Sequence, residues 1–192
     1  TPTTFEECMG CVFNENPSDE VERMRAVMLE ANLRHIIMDT TCLLSVDLSI
    51  NRFNKLTTLD LSDNDIQHID EKLQLPLLQR IDLARNRITS VGFLENLVSL
   101  KAVNLSNNRI KALSSITSLV ALAGTLTSVD FSGNPCSSDQ RYASVVVSSF
   151  PRLTNFDSRD LQAFGSKGSY AYSKYSHGTP GGSARKARSA VS

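Results

Sequence analysis

One pattern of apolar and polar positions recurs four times along the chain. The copies are LTTLDLSDNDI at 56–66, LQRIDLARNRI at 78–88, LKAVNLSNNRI at 100–110 and LTSVDFSGNPC at 126–136. All four have apolar residues at positions one, four, six and eleven, and an asparagine at position nine. The asparagines are Asn64, Asn86, Asn108 and Asn134, so the first two steps are equal and the last is slightly longer. A period of about 20 to 29 residues predicts a solenoid in which each copy begins one coil.

The alternation inside each copy predicts a short strand that is followed by a helical return. In the first copy, Leu59 and Leu61 point into the core and Asp60 between them faces outward, since strand side chains alternate. The asparagine that follows is placed to bond the backbone where the chain leaves the strand. Farther along a coil, apolar residues such as Ile88 and Val91 fall three apart, which predicts a helical or 3₁₀-like convex side.

The first coil has two candidate registers. The segment LSVDLSINRF fits the pattern, but its Asn51 lies too close to Asn64 for a full coil between them. One coil needs about 20 to 29 residues, so this register is rejected. The alternative begins at Leu33 and puts Thr41 at the asparagine position, which leaves the length of one coil before Asn64. This choice predicts an α/β solenoid with residues 45–49 away from its sheet. About five parallel strands are expected, centred on Ile37, Asp60, Asp82, Asn104 and Asp130.

The pattern also predicts helices at the N-terminal end and within the longest repeat. An open solenoid end exposes apolar surface, so the first coil needs a cap. Asp19, with Glu22 three residues later, has the spacing of a capping box and predicts a capping helix. Its apolar face comprises Val21, Met24, Val27, Met28 and Ala31. In the fourth repeat, residues 115–123 predict two α-helical turns that stop at Gly124.

A helical cap is also expected at the C-terminal end. This helix is predicted to begin at Ser138 and Asp139. Its apolar stripe comprises Tyr142, Val145 and Val146. The segment 152–161 is then expected to place Leu153 and Phe156 over the last strand.

Composition and charge divide the chain into a body and a tail. The 192 residues are 41% hydrophobic, which favours a packed domain over a disordered chain. The 20 acids balance the 20 bases, but every acid lies at or before Asp160. Five bases and no acid follow, so the body carries −5 and the tail +5; these bases are Lys167, Lys174, Arg185, Lys186 and Arg188. We predict a flexible leader at 1–17, the repeat domain with its caps at 18–164, and a disordered basic tail rich in Ser, Gly and Tyr at 165–192.

The cysteines indicate neither a disulfide framework nor a metal site. Cys8 and Cys11 have the spacing of half a zinc site or a redox pair, but no second pair accompanies them. Cys42 and Cys136 belong to opposite ends of the solenoid, so a reducing compartment is expected. No secretory leader is predicted. The uncharged stretch 112–129 contains seven Ser or Thr, and it is too polar and too short for a membrane span. No metal and no cofactor are predicted.

The repeats resemble the short 22-residue leucine-rich repeat class typified by a regulatory subunit of protein phosphatase 1. The final segment resembles the C-terminal cap of that class, through Asn134-Pro135, Arg141-Tyr142, Phe150-Pro151-Arg152-Leu153 and Phe156-Asp157. This cap is shared with the outer-arm dynein light chain of cilia, the A-prime subunit of a spliceosomal particle, acidic nuclear leucine-rich proteins and the mRNA export receptor. The resemblance covers residues 33–162 and implies a non-enzymatic binding module. Thr41 replaces the usual Asn, and Ser158 stands where a Gly is usual.

The candidate site is the outward row of the strands rather than a catalytic centre. The chain has three histidines, at 35, 68 and 177, and it has neither a glycine-rich phosphate loop nor a Gly-x-Ser-x-Gly motif. Parallel strands about 4.8 Å apart align three carboxylates and one amide in the outward row, between flanks of small residues. An ordinary solvated polar face is the alternative. The predicted partner-binding residues are His35, Ile37, Asp39, Thr58, Asp60, Arg80, Asp82, Asn104 and Asp130.

The resemblance implies an adaptor that binds another protein in its concave face. The leading setting is a ciliary, flagellar or other cytoskeletal assembly in the cytoplasm. The alternatives are a nuclear RNA-particle subunit of the spliceosomal A-prime kind and a regulatory subunit of a phosphatase. The basic tail, residues 165–192, suits a polyanion such as a tubulin tail or RNA, and a plain linker is the alternative. Neither a membrane nor a small-molecule substrate is expected.

Overall fold

Short strands recur along the chain, one or two to a coil. The computed structural model describes residues 33–38 and 43–161, and these contain nine strands. The predicted N-terminal helix, Thr41 and the basic tail lie outside the described residues. In chain order the strands are β1 His35–Ile37, β2 Ser45–Val46, β3 Thr58–Asp60, β4 His68–Ile69, β5 Arg80–Asp82, β6 Ala102–Asn104, β7 Ser128–Asp130, β8 Asn155–Phe156 and β9 Arg159–Asp160.

Seven of these strands form one sheet in the order β1-β3-β5-β6-β7-β8-β9. Strands β1 to β7 of this sheet are parallel, and their register aligns the five predicted centres, Ile37, Asp60, Asp82, Asn104 and Asp130. The predicted register is therefore confirmed. Strand β2 pairs with β4 in a separate two-stranded sheet, so Ser45 and Val46 lie away from β3, as the chosen register requires.

Two further strands at the C-terminal end extend the sheet beyond the five predicted. Strand β8 pairs parallel with β7, and β9 folds back antiparallel on β8. Leu153 and Phe156 are buried as expected, but Phe156 lies within the sheet and not over the last strand. The reason is that Thr154 enters the sheet as the earlier coils do. The Thr127 carbonyl accepts hydrogen bonds from the amides of Thr154 and Asn155 at 2.7 and 3.0 Å.

In the described part of the chain, the returns between strands contain 3₁₀ helices and two short α-helices. The predicted second α-helical turn within 115–123 is wrong, because a 3₁₀ helix follows the first turn directly. The buried Ile116, Leu119 and Leu122 recur at every third position, which matches the about 3.0 residues per turn of a 3₁₀ helix. Gly124 has no positive φ, so it is not a left-handed helix stop. The helices are η1 Leu48–Arg52, η2 Gly92–Asn96, α1 Ser114–Thr117, η3 Ser118–Leu122, η4 Pro135–Ser138 and α2 Tyr142–Ser149.

The C-terminal helix α2 begins later than predicted. The segment with Ser138 belongs to η4, and α2 starts at Tyr142. Asp139 orders the turn between the two helices, since its Oδ1 accepts the Arg141 amide at 2.8 Å. Val145 is only half-buried and does not belong to the apolar stripe. The residues of α2 that pack on the core are Tyr142, Ala143, Val146 and Val147.

The repeated asparagines connect each coil to the coil before it. Asn86 is 6% exposed, and its Oδ1 accepts the Ile66 amide at 2.9 Å. Its Nδ2 donates to the carbonyls of Leu61, Leu83 and Ala84 at 2.9, 3.1 and 3.2 Å. Equivalent bonds are made by Asn64, Asn108 and Asn134. Buried backbone groups at the strand ends are thereby paired across coils, beside one continuous hydrophobic core.

A residue with left-handed backbone precedes each of these asparagines. Asp63, Arg85, Asn107 and Gly133 have φ values of 54°, 54°, 57° and 70°. A Cβ on Gly133 would collide with Oδ1 of Asn107, so any other residue at that position would displace this side chain. Asp63 and Arg85 occupy the equivalent position in two earlier coils, and the Arg85 guanidinium pairs with the Asp63 carboxylate.

Within residues 33–38 and 43–161, no helix is both long and apolar enough to cross a membrane.

Candidate protein-binding surface

The exposed side of the seven-stranded sheet, which we call the concave face, carries most of the predicted partner-binding residues. Ile37 and Asp60 lie in register on this face without lining its groove, and Asp39 lies outside the described residues. The structure thus brings eight of the nine candidates to one face. The six that line an open groove of about 800 Å³ are His35, Thr58, Arg80, Asp82, Asn104 and Asp130.

The acidic row, Asp60, Asp82 and Asp130, has a structural role that the sequence analysis missed. Asp60 Oδ1 accepts the amide and the hydroxyl of Ser62 at 3.0 and 2.8 Å. Asp82, Asn104 and Asp130 each accept the amide two residues on in the same way. One oxygen of each side chain therefore ends its strand as an Asx turn. The spacing Asp-x-Ser or Asn-x-Ser in three of the repeats was the signal for this role.

The second oxygens of the three carboxylates have different hydrogen-bond environments. Asp82 Oδ2 accepts from Asn104 Nδ2 at 3.0 Å, and Asp130 Oδ2 accepts from the Ser158 hydroxyl at 2.7 Å. Within the described residues, Asp60 Oδ2 has no hydrogen-bond donor. The amide at position 104 therefore relieves repulsion in the row by donating to its acidic neighbour. Among the three carboxylates of the acidic row, Asp60 is therefore the one whose second oxygen accepts no hydrogen bond from the described residues.

The two flanks of the acidic row differ from the expected pair of small-residue flanks. Ser62, Ala84 and Ser106 are 8%, 2% and 8% exposed, so this flank is closed and offers a partner little surface. On the other flank, Arg80 lies in β5 and Lys101 directly precedes the adjacent strand β6, and Lys101 Nζ donates to Gln79 Oε1 at 3.1 Å. The groove is therefore acidic along one side and basic along the other.

The groove also includes residues that sequence reasoning did not select. Five of them lie at the entry of a strand, one residue before the first strand position, where the threonines bond the neighbouring coil. Thr57 Oγ1 donates to the Arg34 carbonyl at 2.9 Å, and Thr154 Oγ1 donates to the Thr127 carbonyl at 2.9 Å. The recurrence of Thr, Gln or Lys before each strand was the available signal. These lining residues are Thr57, Gln79, Lys101, Thr127 and Thr154.

Ion pairs between neighbouring coils lie beside the acidic row. The Arg85 guanidinium lowers the pKa of the Asp63 carboxyl through their hydrogen bonds, and the pKa of Arg85 is raised in turn. Arg85 also experiences the charges of Asp82 and Asp60. Because Arg85 is exposed, its charge is screened by solvent and leaves the acidic row largely uncompensated.

In the C-terminal cap, a buried tyrosine is hydrogen-bonded to a half-buried aspartate. The Tyr142 hydroxyl donates to Asp157 Oδ1 at 2.8 Å, and the Phe131 amide donates to the same oxygen at 3.1 Å. Burial raises the pKa of both Tyr142 and Asp157 above their usual values. Ser158 adopts a φ of 59°, which explains why a glycine is usual there, and its hydroxyl bonds Asp130 instead.

The described residues bring together no catalytic or metal-binding set. His35 lies in the seven-stranded sheet and His68 in the separate two-stranded sheet, so they belong to different sheets. No group of three His, Cys, Asp or Glu side chains in the described part of the chain is placed to hold a metal. Cys136 is a free, buried thiol, whereas Cys8 and Cys11 lie outside the described residues.

Comparison with known proteins identifies the class. Residues 21–177 match the leucine-rich repeat family, and the chain belongs to that family. The resemblance expected from the repeat spacing is thereby confirmed. Folds of this family are typical of non-enzymatic binding proteins.

Many solved structures are similar to this chain, and one of them contains a spliceosomal A-prime subunit. It is the crystal structure of the Drosophila melanogaster SNF/U2A' complex, with a TM-score of 0.59 and 27% sequence identity. The likeness covers 66% of this chain and 74% of that chain. The predicted resemblance to the spliceosomal A-prime subunit is confirmed by this likeness. No curated protein matches the sequence. Together, the family and the structural neighbour support a protein-binding role.

Proposed function

We propose that this chain is a non-enzymatic adaptor that binds a segment of a partner protein in its concave face. The observation that carries the proposal is the open groove with an acidic and a basic side. Its polar groups come from six adjacent strands and are held by strand register and Asx turns. A surface prepared in this way binds without large rearrangement, which lowers the entropic cost of association.

The two sides of the groove specify the chemistry of the partner. The acidic row favours lysine, arginine or amide donors, and Arg80 with Lys101 favours carboxylates or carbonyl oxygens. Adjacent strands are about 4.8 Å apart, and a helix rises about 1.5 Å per residue, so each strand meets about every third residue of a helix. We therefore propose an amphipathic helix or loop with basic and acidic groups on neighbouring stripes. Ile37, which is 69% exposed, provides an apolar contact at one end.

Two settings are proposed for this adaptor. A ciliary or cytoskeletal assembly in the cytoplasm is the setting predicted from the sequence, and it stays a prediction. A nuclear RNA particle is the second candidate, and the likeness to the SNF/U2A' complex specifically favours it. In both settings the concave face holds a protein, and the settings differ in what the rest of the assembly contains.

A capture experiment tests the concave face. The full chain is used as bait in nuclear and cytoplasmic extracts of the source cell, beside a triple variant with Asp60→Asn, Asp82→Asn and Asp130→Asn. Asparagine keeps the oxygen that accepts the amide two residues on, so the fold is expected to survive. We expect the triple variant to capture less of the proteins that bind the wild type, and the remaining capture to depend less on salt.

The matched control removes three carboxylates elsewhere. Asp65→Asn, Asp70→Asn and Asp139→Asn change the net charge equally but lie off the concave face. The control chain should capture the same proteins as the wild type. If the triple variant also captures them undiminished, the partner binds another surface and the proposal is wrong. Identification of the captured proteins then distinguishes the nuclear setting from the cytoskeletal one.

A further inference from the structure

The concave face has a charge pattern that a segment of the same chain matches. Within the described residues, no element covers this face, and its acidic row leaves Asp60 Oδ2 without a donor. The part of the chain before residue 165 carries −5, and residues 165–192 carry +5 with no acid among them. The two parts of the chain are therefore of equal and opposite charge, and the negative part presents an aligned row of carboxylates.

The described chain ends beside the same sheet. Strand β9 is the last strand, and the Leu161 amide after it donates to the Thr154 carbonyl at 2.7 Å, at the rim of the groove. The segment that follows Leu161, up to Ser192, can span up to about 100 Å when extended. The six strand steps from β9 to β1 cover only about 29 Å. Length therefore allows the basic tail to reach every carboxylate of the row.

The composition of the tail matches the groove in a second respect. Ile37 is 69% exposed in the same register as the acidic row. The tail holds three of the four tyrosines of the chain, at 170, 172 and 175. A tyrosine ring covers an apolar side chain while its hydroxyl stays in water. The tail lacks the acids that would direct it to Arg80 and Lys101, so the acidic side is its only charged match in the groove.

We propose that residues 165–192 dock in cis on the acidic row of the concave face and compete there with the partner protein. The competition rests on the proposed function, whereas the docking itself does not. Exposed ion pairs are individually weak, but covalent attachment raises the local concentration of the tail. The docked tail is thus a competitor that a well-matched partner displaces.

Phosphorylation would release such a tail. Residues 165–192 contain seven serines besides the three tyrosines. Each phosphate adds a charge of about −1.5 to −2, so about three phosphates cancel the five bases. The chain would then present an open groove to its partner.

Binding of a tail peptide in trans tests the docking without any partner protein. A labelled peptide of residues 165–192 is titrated into the full wild-type chain and into a full chain with its five tail bases changed to glutamine. We expect at least tenfold tighter binding to the glutamine chain, because its own tail no longer occupies the groove. Binding should weaken with salt, and Asp60→Asn, Asp82→Asn and Asp130→Asn in the glutamine chain should abolish it.

Two controls keep the result interpretable. Asp65→Asn, Asp70→Asn and Asp139→Asn in the glutamine chain should leave peptide binding unchanged. Carbodiimide cross-linking of the wild type, with heavy and light isotope chains mixed, should join Lys167, Lys174 or Lys186 to the acidic row within one chain. Equal peptide affinity for both chains, or links only between different chains, would overturn docking in cis.

The alternative ligands of the tail give different results. A peptide that binds single-stranded RNA or tubulin tails but not the glutamine chain assigns the tail to those polyanions and overturns the proposal. If the peptide fails to bind while the capture experiment succeeds, docking alone is wrong. If the peptide binds and the concave face captures no protein, the docking stands and the proposed function fails.

Discussion

Replacing Asn86 by alanine should destabilise the repeat stack by an amount that its hydrogen bonds determine. The Ile66 amide would lose its acceptor, and a buried amide without a partner costs about 1 to 3 kcal/mol. The three carbonyls that Asn86 bonds each keep a second donor, which limits their loss to less than about 1 kcal/mol each. These donors are Asn64 Nδ2 for Leu61, Asn108 Nδ2 for Leu83 and the Asp63 amide for Ala84. We expect a total loss of about 2 to 4 kcal/mol.

Urea unfolding measures this loss as a lower midpoint at an unchanged slope. The matched control is Asn54→Ala, because Asn54 is exposed and belongs to no strand or helix. It should change the free energy of unfolding by less than about 0.5 kcal/mol. Equal midpoints for the two alanine variants would refute the stabilising role of the asparagines.

The variant Asn86→Asp separates the donor from the acceptor function. The new carboxylate can still accept the Ile66 amide, but it cannot donate to three carbonyl oxygens and is repelled by them. Burial and repulsion raise the pKa of this carboxyl, so the folded state disfavours its ionised form and stability is lost as pH rises through that pKa. We expect Asn86→Asp to be less stable than Asn86→Ala at about pH 7. The difference between the two variants in free energy of unfolding should narrow toward about pH 4. A gap independent of pH would contradict this reasoning.

Three other changes test the core and the C-terminal cap. Leu83 is fully buried at the centre of the stack, so Leu83→Ala should cost about 2 to 5 kcal/mol, and an unchanged urea midpoint would place it outside the core. Tyr142→Phe leaves the Asp157 carboxylate without its phenol donor and should cost about 1 to 3 kcal/mol at neutral pH by the same assay. Burial raises the pKa of Asp157, so the folded state loses stability as this carboxyl ionises. The free energy of unfolding of Asp157→Asn should therefore increase relative to that of the wild type as pH rises from about 4 to 7. A difference that stays constant with pH would show that ionisation of Asp157 is not coupled to folding.

The sequence specified the strands because their period and alternation repeat. Rejecting the short spacing between Asn51 and Asn64 was enough to place β1 beside β3 and to align the acidic row. The family and the concave location of the candidate residues followed from the same register. Repetition made these features readable, because an error in one coil would have conflicted with the others.

The features that occur once were harder to predict. Strand β8, Asn155–Phe156, is too short to show alternation. The bond from Tyr142 to Asp157 joins two distant positions of the cap with no periodic signal between them. The Asx-turn role of Asp60 could be predicted from the local spacing Asp-x-Ser. The outward position of Asp60 was interpreted only as a sign of ligand binding. The position of the candidate residues on the concave face was therefore predicted, whereas the Asx-turn role of the carboxylates was not; that these residues bind a partner stays a prediction.

The antiparallel strand β9 determines how this molecule can polymerise. An exposed edge of parallel strands is a template on which another chain can add its own strand. Here the edge of β8 is occupied by a very short strand of opposite direction, whose Arg159 and Asp160 are both exposed and charged. A short, charged edge is a poor template for further strands. The C-terminal end of the described sheet is therefore poorly suited to end-to-end strand addition by a second copy.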